Sequence, residues 1–255
     1  MKIRILAVLC VAFFVNSCSE DNDINAVPIG ITLNFSHSWG ENEVTNADFN
    51  TLKFTNDNGD HMSIEHLRYL ISEIVLTHES GVITTLDDYN LVDVTNNEGL
   101  TFTTSAAIIP GDYTSVSFRF GFSDENNIDG VYTDLNTASF NVPTILGGGY
   151  HHMQFDGKYI DDSDAEAPFN YHVINAFDLT NINDTVNTSF QLNIGAITAG
   201  GNTNINLNMD ISEWFKTPNT WNLNEYDVDL MSNYEAQLLM NQNGASVFSV
   251  ISITQ

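Results

Sequence analysis

Basic residues are scarce in this chain of 255 residues. Seven Lys and Arg residues stand against 33 Asp and Glu residues, which gives a formal net charge of −26. Nucleic acids are bound chiefly through Lys and Arg contacts to phosphate, so this composition excludes a nucleic-acid partner. An acidic surface favours solubility and attracts cations in general, but it does not identify a ligand.

Thiols and enzyme motifs are also missing. The two cysteines, Cys10 and Cys18, both lie near the N-terminus, so the remaining chain has no residue for a disulfide, a thiolate nucleophile or a Cys-type zinc site. The chain contains no Gly-x-Ser-x-Gly, His-Glu-x-x-His or phosphate-loop motif. We therefore expect a protein that is not an enzyme.

One hydrophobic run interrupts this polar composition. Ile5 to Val15 is apolar and follows Lys2 and Arg4. A membrane span needs about 20 apolar residues, whereas a run of this length is typical of a signal-peptide core. The sequence therefore predicts export from the cytoplasm.

The end of this run resembles a bacterial lipobox, in which the cysteine is acylated. Its residues are Val15-Asn16-Ser17-Cys18, and the acidic segment after them resembles the tether of surface lipoproteins in Bacteroidota. We predict a signal peptide at residues 1–17, lipidation at Cys18 and an acidic tether at residues 18–28. The lipid would be the sole membrane contact and would hold the protein at the outer membrane or cell surface, with a periplasm-facing orientation left open. An ordinary secretory peptide cleaved elsewhere is the alternative.

Residues 29–255 predict a single all-β domain. The segment Thr203 to Ile211 alternates apolar and polar residues without a fault, as a half-buried strand does. The further predicted strands are 31–35, 67–77, 82–86, 89–94, 113–122, 150–159, 171–177, 189–194 and 247–253. Asp227 to Asn241 is the best helix candidate. We expect an antiparallel two-layer β-sandwich with one or two short helices in its connections.

The densest group of metal donors is Gly147-Gly148-Gly149-Tyr150-His151-His152-Met153. Imidazole suits copper, zinc, iron and nickel, and thioether selects Cu(I). Alternation along a strand would place His151 and Met153 on one face and His152 on the other. The glycines permit unusual backbone angles beside these donors.

Several short blocks, in this order, resemble MbnP-like copper-binding domains. They are Leu67 to Leu76, Gly81, Pro110 to Phe118 with Phe120-Gly121, Gly149-Tyr150-His151 through Gly157, Phe169 to His172, and Val247-Phe248. The resemblance implies an extracytoplasmic β-sandwich that binds copper through histidines. Carried onto this chain, it implies the ligands His37, His151 and His172, with Met153 at an apolar or Met position.

Some relatives add a tryptophan oxidised to kynurenine, and the chain departs from that pattern. Their tryptophan precedes the Gly-Tyr segment, where this chain has Phe140-Asn141-Val142-Pro143. We therefore do not predict this modification here. Our expectation is that His37, His151, His172 and Met153 converge on one copper ion, which would be released as pH falls through the usual histidine pKa of about 6.5.

Two readings compete with copper binding. Calcium is a second cation that the sequence admits, at the acidic loops Glu125 to Gly130 and Asp161 to Glu166. The alternative function is a surface adhesion or glycan-binding lipoprotein, whose exposed Trp and Tyr rings would stack on sugars. The sequence names no protein partner.

Overall fold

The computed structural model describes residues 27–181 and 185–255, so the predicted signal peptide and Cys18 lie outside the described residues. Fifteen strands are present in this part of the chain. They are β1 (Ile31–Trp39), β2 (Asn42–Glu43), β3 (Phe54–Thr55), β4 (His61–Met62), β5 (His66–His78), β6 (Ile83–Asp93), β7 (Thr101–Thr103), β8 (Gly111–Phe120), β9 (Met153–Ile160), β10 (Glu166–Val173), β11 (Ala176–Phe177), β12 (Thr185–Val186), β13 (Phe190–Ala199), β14 (Thr203–Asp210) and β15 (Phe248–Thr254).

The strands form two main sheets that pack face to face. The first has the order β15-β14-β1-β2, with β7 also paired to β1. The second has the order β13-β8-β5-β9-β4-β3, with β10 paired to β9 and β6 paired to β5. The predicted all-β sandwich is confirmed, with one exception to its antiparallel pairing: β1 and β14 run parallel.

Alternating side chains build the core between the sheets. In β14, Ile205, Leu207 and Met209 are buried, and in β8 Phe118 and Phe120 are buried, as the alternation predicts. The rings of Phe118 and Phe248 lie 5.5 Å apart, centroid to centroid, and join the two sheets. Burial of these large rings is the main source of the sandwich's stability.

Helices are few in the described residues. The α-helices are α1 (Thr133–Thr137) and α2 (Tyr234–Gly244), and 3-10 turns occur at Asn46–Asp48, Thr144–Leu146, Ile211–Phe215 and Leu230–Ser232. No helix in this part of the chain is long and apolar enough to cross a bilayer. The helix predicted from Asp227 begins later because Asn233 caps it, accepting a hydrogen bond from Ala236 N.

The outer face of the second sheet is covered by the segment between β8 and β9. Phe122, Leu135, Phe140 and Tyr150 from this segment pack on Leu70 of β5 and form a second, smaller apolar cluster. The sheet therefore has buried side chains on both faces. The predicted metal donors lie on both sides of this sheet.

Candidate metal centre

Two of the predicted copper ligands lie in the core between the two sheets, one on each sheet. Met153 opens β9 and lies fully buried in the main core. His37 projects from β1 into the same core, where its Nε2 atom lies 3.1 Å from the Tyr69 hydroxyl. Burial lowers the pKa of His37 to about 4. Both side chains have ordinary core partners.

The other two predicted ligands lie on the outer face of the second sheet. Phe169, Tyr171 and Val173 of β10 are buried in the main core, so His172 projects the opposite way. The ring of His151 packs against it, with centroids 5.3 Å apart and planes at 83°. Because a β-sheet separates this pair from His37 and Met153, the four predicted ligands do not meet at one ion.

The prediction that His151 shares a face with Met153 is wrong, because strand β9 begins only at Met153. The three glycines before it, Gly147 to Gly149, all have positive φ. A Cβ at Gly149 would lie 2.6 Å from the Asn127 side-chain oxygen, so only glycine fits this turn. The turn leads into a bridge between Asn141 and Tyr150 and places His151 beside Phe140. His152, predicted to lie on the opposite face from His151, is fully buried.

A carboxylate orients His172. The Nε2 atom of His172 lies 2.8 Å from Oδ1 of Asp156, and the other carboxylate oxygen lies 3.0 Å from Nδ1 of His66. Burial raises the pKa of Asp156, but hydrogen bonds from His172 and His66 outweigh it and hold the pKa well below its usual range. A carboxylate can only accept, so the proton of neutral His172 is on Nε2. Its Nδ1 atom is then an unprotonated acceptor, and it is buried without a hydrogen-bond partner.

His151 is fixed in the opposite tautomer. Its Nδ1 atom lies 2.9 Å from the carbonyl oxygen of Phe140, which can only accept, so Nδ1 carries the proton. Burial lowers the pKa of His151 to about 3, and the neighbouring His172 adds to this effect. The ring is therefore neutral at pH 7. Protonation of His151 near pH 6.5, as the sequence led us to expect, does not follow from this environment.

The free nitrogen of His151 faces a thioether. Its Nε2 atom lies 3.3 Å from the sulfur of Met231, in the Leu230–Ser232 turn. In the assigned tautomer neither atom carries a proton, so two lone-pair donors face each other with no hydrogen between them. A soft cation shared by both atoms removes this conflict.

Met231 and Asp156 were missed by the sequence reasoning. Met231 lies within the helix predicted from Asp227 to Asn241, and a place in a helix gave no sign of a ligand. Its one signal was a methionine placed among the polar residues Asp229 and Ser232. Asp156 belongs to the polar face of β9, whose alternation marked it as outward-facing but not as a histidine partner.

Gln237 of α2 joins the two elements that carry these donors. Its amide nitrogen donates to the carbonyl oxygens of His172, at 2.9 Å, and of Leu230, at 3.0 Å. Its amide oxygen accepts from Ile174 N at 2.8 Å. Since β10 is an edge strand, Gln237 satisfies its open edge and also ties it to the turn that holds Met231.

A solvent cavity of about 280 Å³ opens onto this site. It is lined by Asn170, His172, Asp229, Leu230 and Met231. Among residues 27–181 and 185–255, no group of three or more His, Cys, Asp and Glu side chains is arranged to hold a metal. The donor set on the outer face is different in kind, with two imidazoles and one thioether.

The calcium loops already use oxygens that calcium would need. In the first loop, Asn127 Oδ1 accepts a hydrogen bond from Tyr150 N. In the second, Asp161 Oδ1 accepts from Ser163 N, Ser163 Oγ and Ala165 N. These bonds shape the loops and give each oxygen a protein partner, so the geometry adds no support for calcium.

The tryptophans lie mainly inside the sandwich. Trp214 and Trp221 are fully buried. Trp39 is half-buried, its indole N–H donates to the carbonyl of Thr55, and its ring contacts Phe54 and Phe215. Among the tryptophans, only Trp39 offers the partial exposure that sugar stacking needs.

Comparison with known proteins identifies the family. The family model for MbnP matches residues 28–234. Among solved structures, MbnP from Methylosinus trichosporium is similar in fold, with a TM-score of 0.53 and 12% sequence identity over 87% of this chain and 97% of that one. No curated protein matches the chain. With a family match over most of its length, the chain belongs to the MbnP family.

Proposed function

We propose that this protein is an extracytoplasmic copper-binding lipoprotein that buffers, acquires or delivers copper. The observation that carries the proposal is the 3.3 Å approach of His151 Nε2 to Met231 Sδ. Each atom presents a lone pair to the other, and the buried, unpartnered Nδ1 atom of His172 is nearby. Membership of the MbnP family supports the same conclusion.

The donor chemistry favours Cu(I). Thioether is a soft ligand that selects Cu(I), and imidazole accepts either oxidation state of copper. A metal-bound histidine commonly donates its second N–H to a carboxylate or a backbone carbonyl. Asp156 does this for His172 and the Phe140 carbonyl does it for His151. Both rings are thus oriented before the ion arrives.

Competition titration with a Cu(I) chelator tests the proposal through matched substitutions. Met231→Leu, His151→Ala and His172→Ala should each weaken Cu(I) binding by about tenfold or more, because each removes a donor. Met153→Leu and His37→Gln change a Met and a His on the other side of the sheet and should leave the affinity unchanged.

Two outcomes would contradict this assignment. If Met153→Leu weakens binding as much as Met231→Leu, the outer-face site is not the copper site. If the unmodified protein binds no copper stoichiometrically, the copper function itself fails. The adhesion alternative would then be tested through Trp39, by measuring glycan binding of Trp39→Ala.

The proposed location at the outer membrane or cell surface rests on the lipobox resemblance at Cys18. Cys18→Ala should abolish fatty-acid labelling and release the protein from the membrane fraction or leave it as a precursor. Unchanged labelling and fractionation would refute the anchor without bearing on the copper site.

A further inference from the structure

The last strand of the chain is an unprotected sheet edge. Within residues 27–181 and 185–255, β15 pairs only with β14, and six of its seven residues are exposed. Three of these are apolar: Val250, Ile251 and Ile253 are 39%, 61% and 37% exposed. An edge of this kind presents unpaired backbone N–H and C=O groups beside apolar side chains, which makes it a template for another strand.

This edge is also free of charge in a strongly acidic molecule. The chain holds 33 acidic residues, yet residues 236–255 include no Asp, Glu, Lys or Arg, and neither do residues 185–209, which contain β13 and most of β14. Edge strands are usually protected by charged side chains, and that protection is missing here. Two copies that pair through this strand therefore bring two uncharged strands together.

The neighbouring edge is less suited to pairing. β13 forms the edge of the second sheet and contacts β15, but its pairing with β8 shifts register twice, around Gly195, which has a φ of 106°. Bulges twist an edge and interrupt its row of backbone groups. β15 keeps its pairing with β14 from Phe248 to Thr254 with one shift. Of these two edges, β15 therefore offers the longer uninterrupted run.

We propose that β15 is the interface between two copies of this chain. Pairing of β15 with its counterpart, antiparallel about a two-fold axis, joins the two five-stranded sheets into one continuous sheet. A second copy fits better than a charged partner because β15 itself offers neither sign of charge. The exposed Val250, Ile251 and Ile253 of each copy then cover one another. The family match ends at residue 234, so this edge lies outside the matched region.

Sedimentation velocity of the full chain in a nonionic detergent tests the interface with one matched pair of variants. Ile251→Glu places like charges close to the two-fold axis and should raise the dimer dissociation constant by about tenfold or more. Ile83→Glu makes the same change at a residue of β6 that is 66% exposed and should leave the dimer intact. Circular dichroism checks that both variants fold.

The proposal is supported if Ile251→Glu dissociates the dimer and Ile83→Glu leaves it intact. A parent chain that is monomeric across the concentration range overturns it, as does a dimer that Ile251→Glu leaves intact or that both variants weaken equally. Copper stoichiometry is measured in parallel and does not depend on the result.

Discussion

At the scale of single residues, Asp156 has a clear role in the proposed copper site. Its carboxylate accepts from His172 Nε2 and so leaves Nδ1 as the free donor atom. The carboxylate also makes the imidazole more basic, which strengthens it as a ligand. In the proposed copper site, Asp156 would thus raise the affinity of His172 for the ion without contacting it.

Asp156→Asn should therefore weaken Cu(I) binding by about 10- to 100-fold, although the amide oxygen can still accept a hydrogen bond. Chelator competition at fixed pH measures the loss. His66→Gln is the control, because it changes the other partner of Asp156 and leaves the contact with His172 in place. Equal losses in the two variants would mean that Asp156 acts through general stability rather than through His172.

At the scale of elements, the site depends on the contact between β10 and the Leu230–Ser232 turn. Gln237 makes three hydrogen bonds there and is fully buried. Gln237→Leu removes the side-chain partner of the Ile174 N–H and one hydrogen bond from each of the His172 and Leu230 carbonyls, so we expect a loss of about 3 kcal/mol in unfolding free energy. Because the same bonds hold Met231 opposite His151, copper affinity should fall as well.

Asn243 supplies a matched control on the same helix. It is also fully buried, and its amide bonds the backbone of Trp214 and Asn219 rather than the metal-site elements. Asn243→Leu should destabilise the fold to a similar degree, as urea unfolding would show, but leave the copper affinity of the folded protein unchanged. If both variants lose affinity in proportion to their stability, Gln237 has no specific role in the site.

Sequence periodicity predicted the strands better than the site. In β14 and β8 one face of the strand is buried, and this is visible in the sequence as apolar residues at alternate positions. The family resemblance predicted that His151 and His172 belong to one site. It did not predict Met231. The approach of Met231 to His151 depends on Gln237 and on the residue at which the helix begins, and both are set by tertiary contacts.

At the scale of the whole molecule, two effects of pH oppose each other. As pH falls from 7 toward the sequence pI of about 4.1, carboxylates lose charge and the repulsion from a net charge of −26 declines, which favours the compact state. Buried histidines act the other way. Burial lowers the pKa of His37 from 6.5 to about 4, so in this range the unfolded chain binds a proton that the folded chain does not.

The contribution of His37 to stability is therefore fully present above pH 6.5 and is lost as pH falls from 6.5 to about 4. The size of this loss is about 3 kcal/mol. His37→Gln removes the titrating group and keeps a polar partner for Tyr69, while the repulsion and the other histidines remain common to both proteins. We expect the unfolding free energy of the parent, from urea denaturation, to fall relative to that of His37→Gln across this window. Parallel curves would show that His37 takes up its proton in the folded state, and the enclosed core around Tyr69 would then have to admit water.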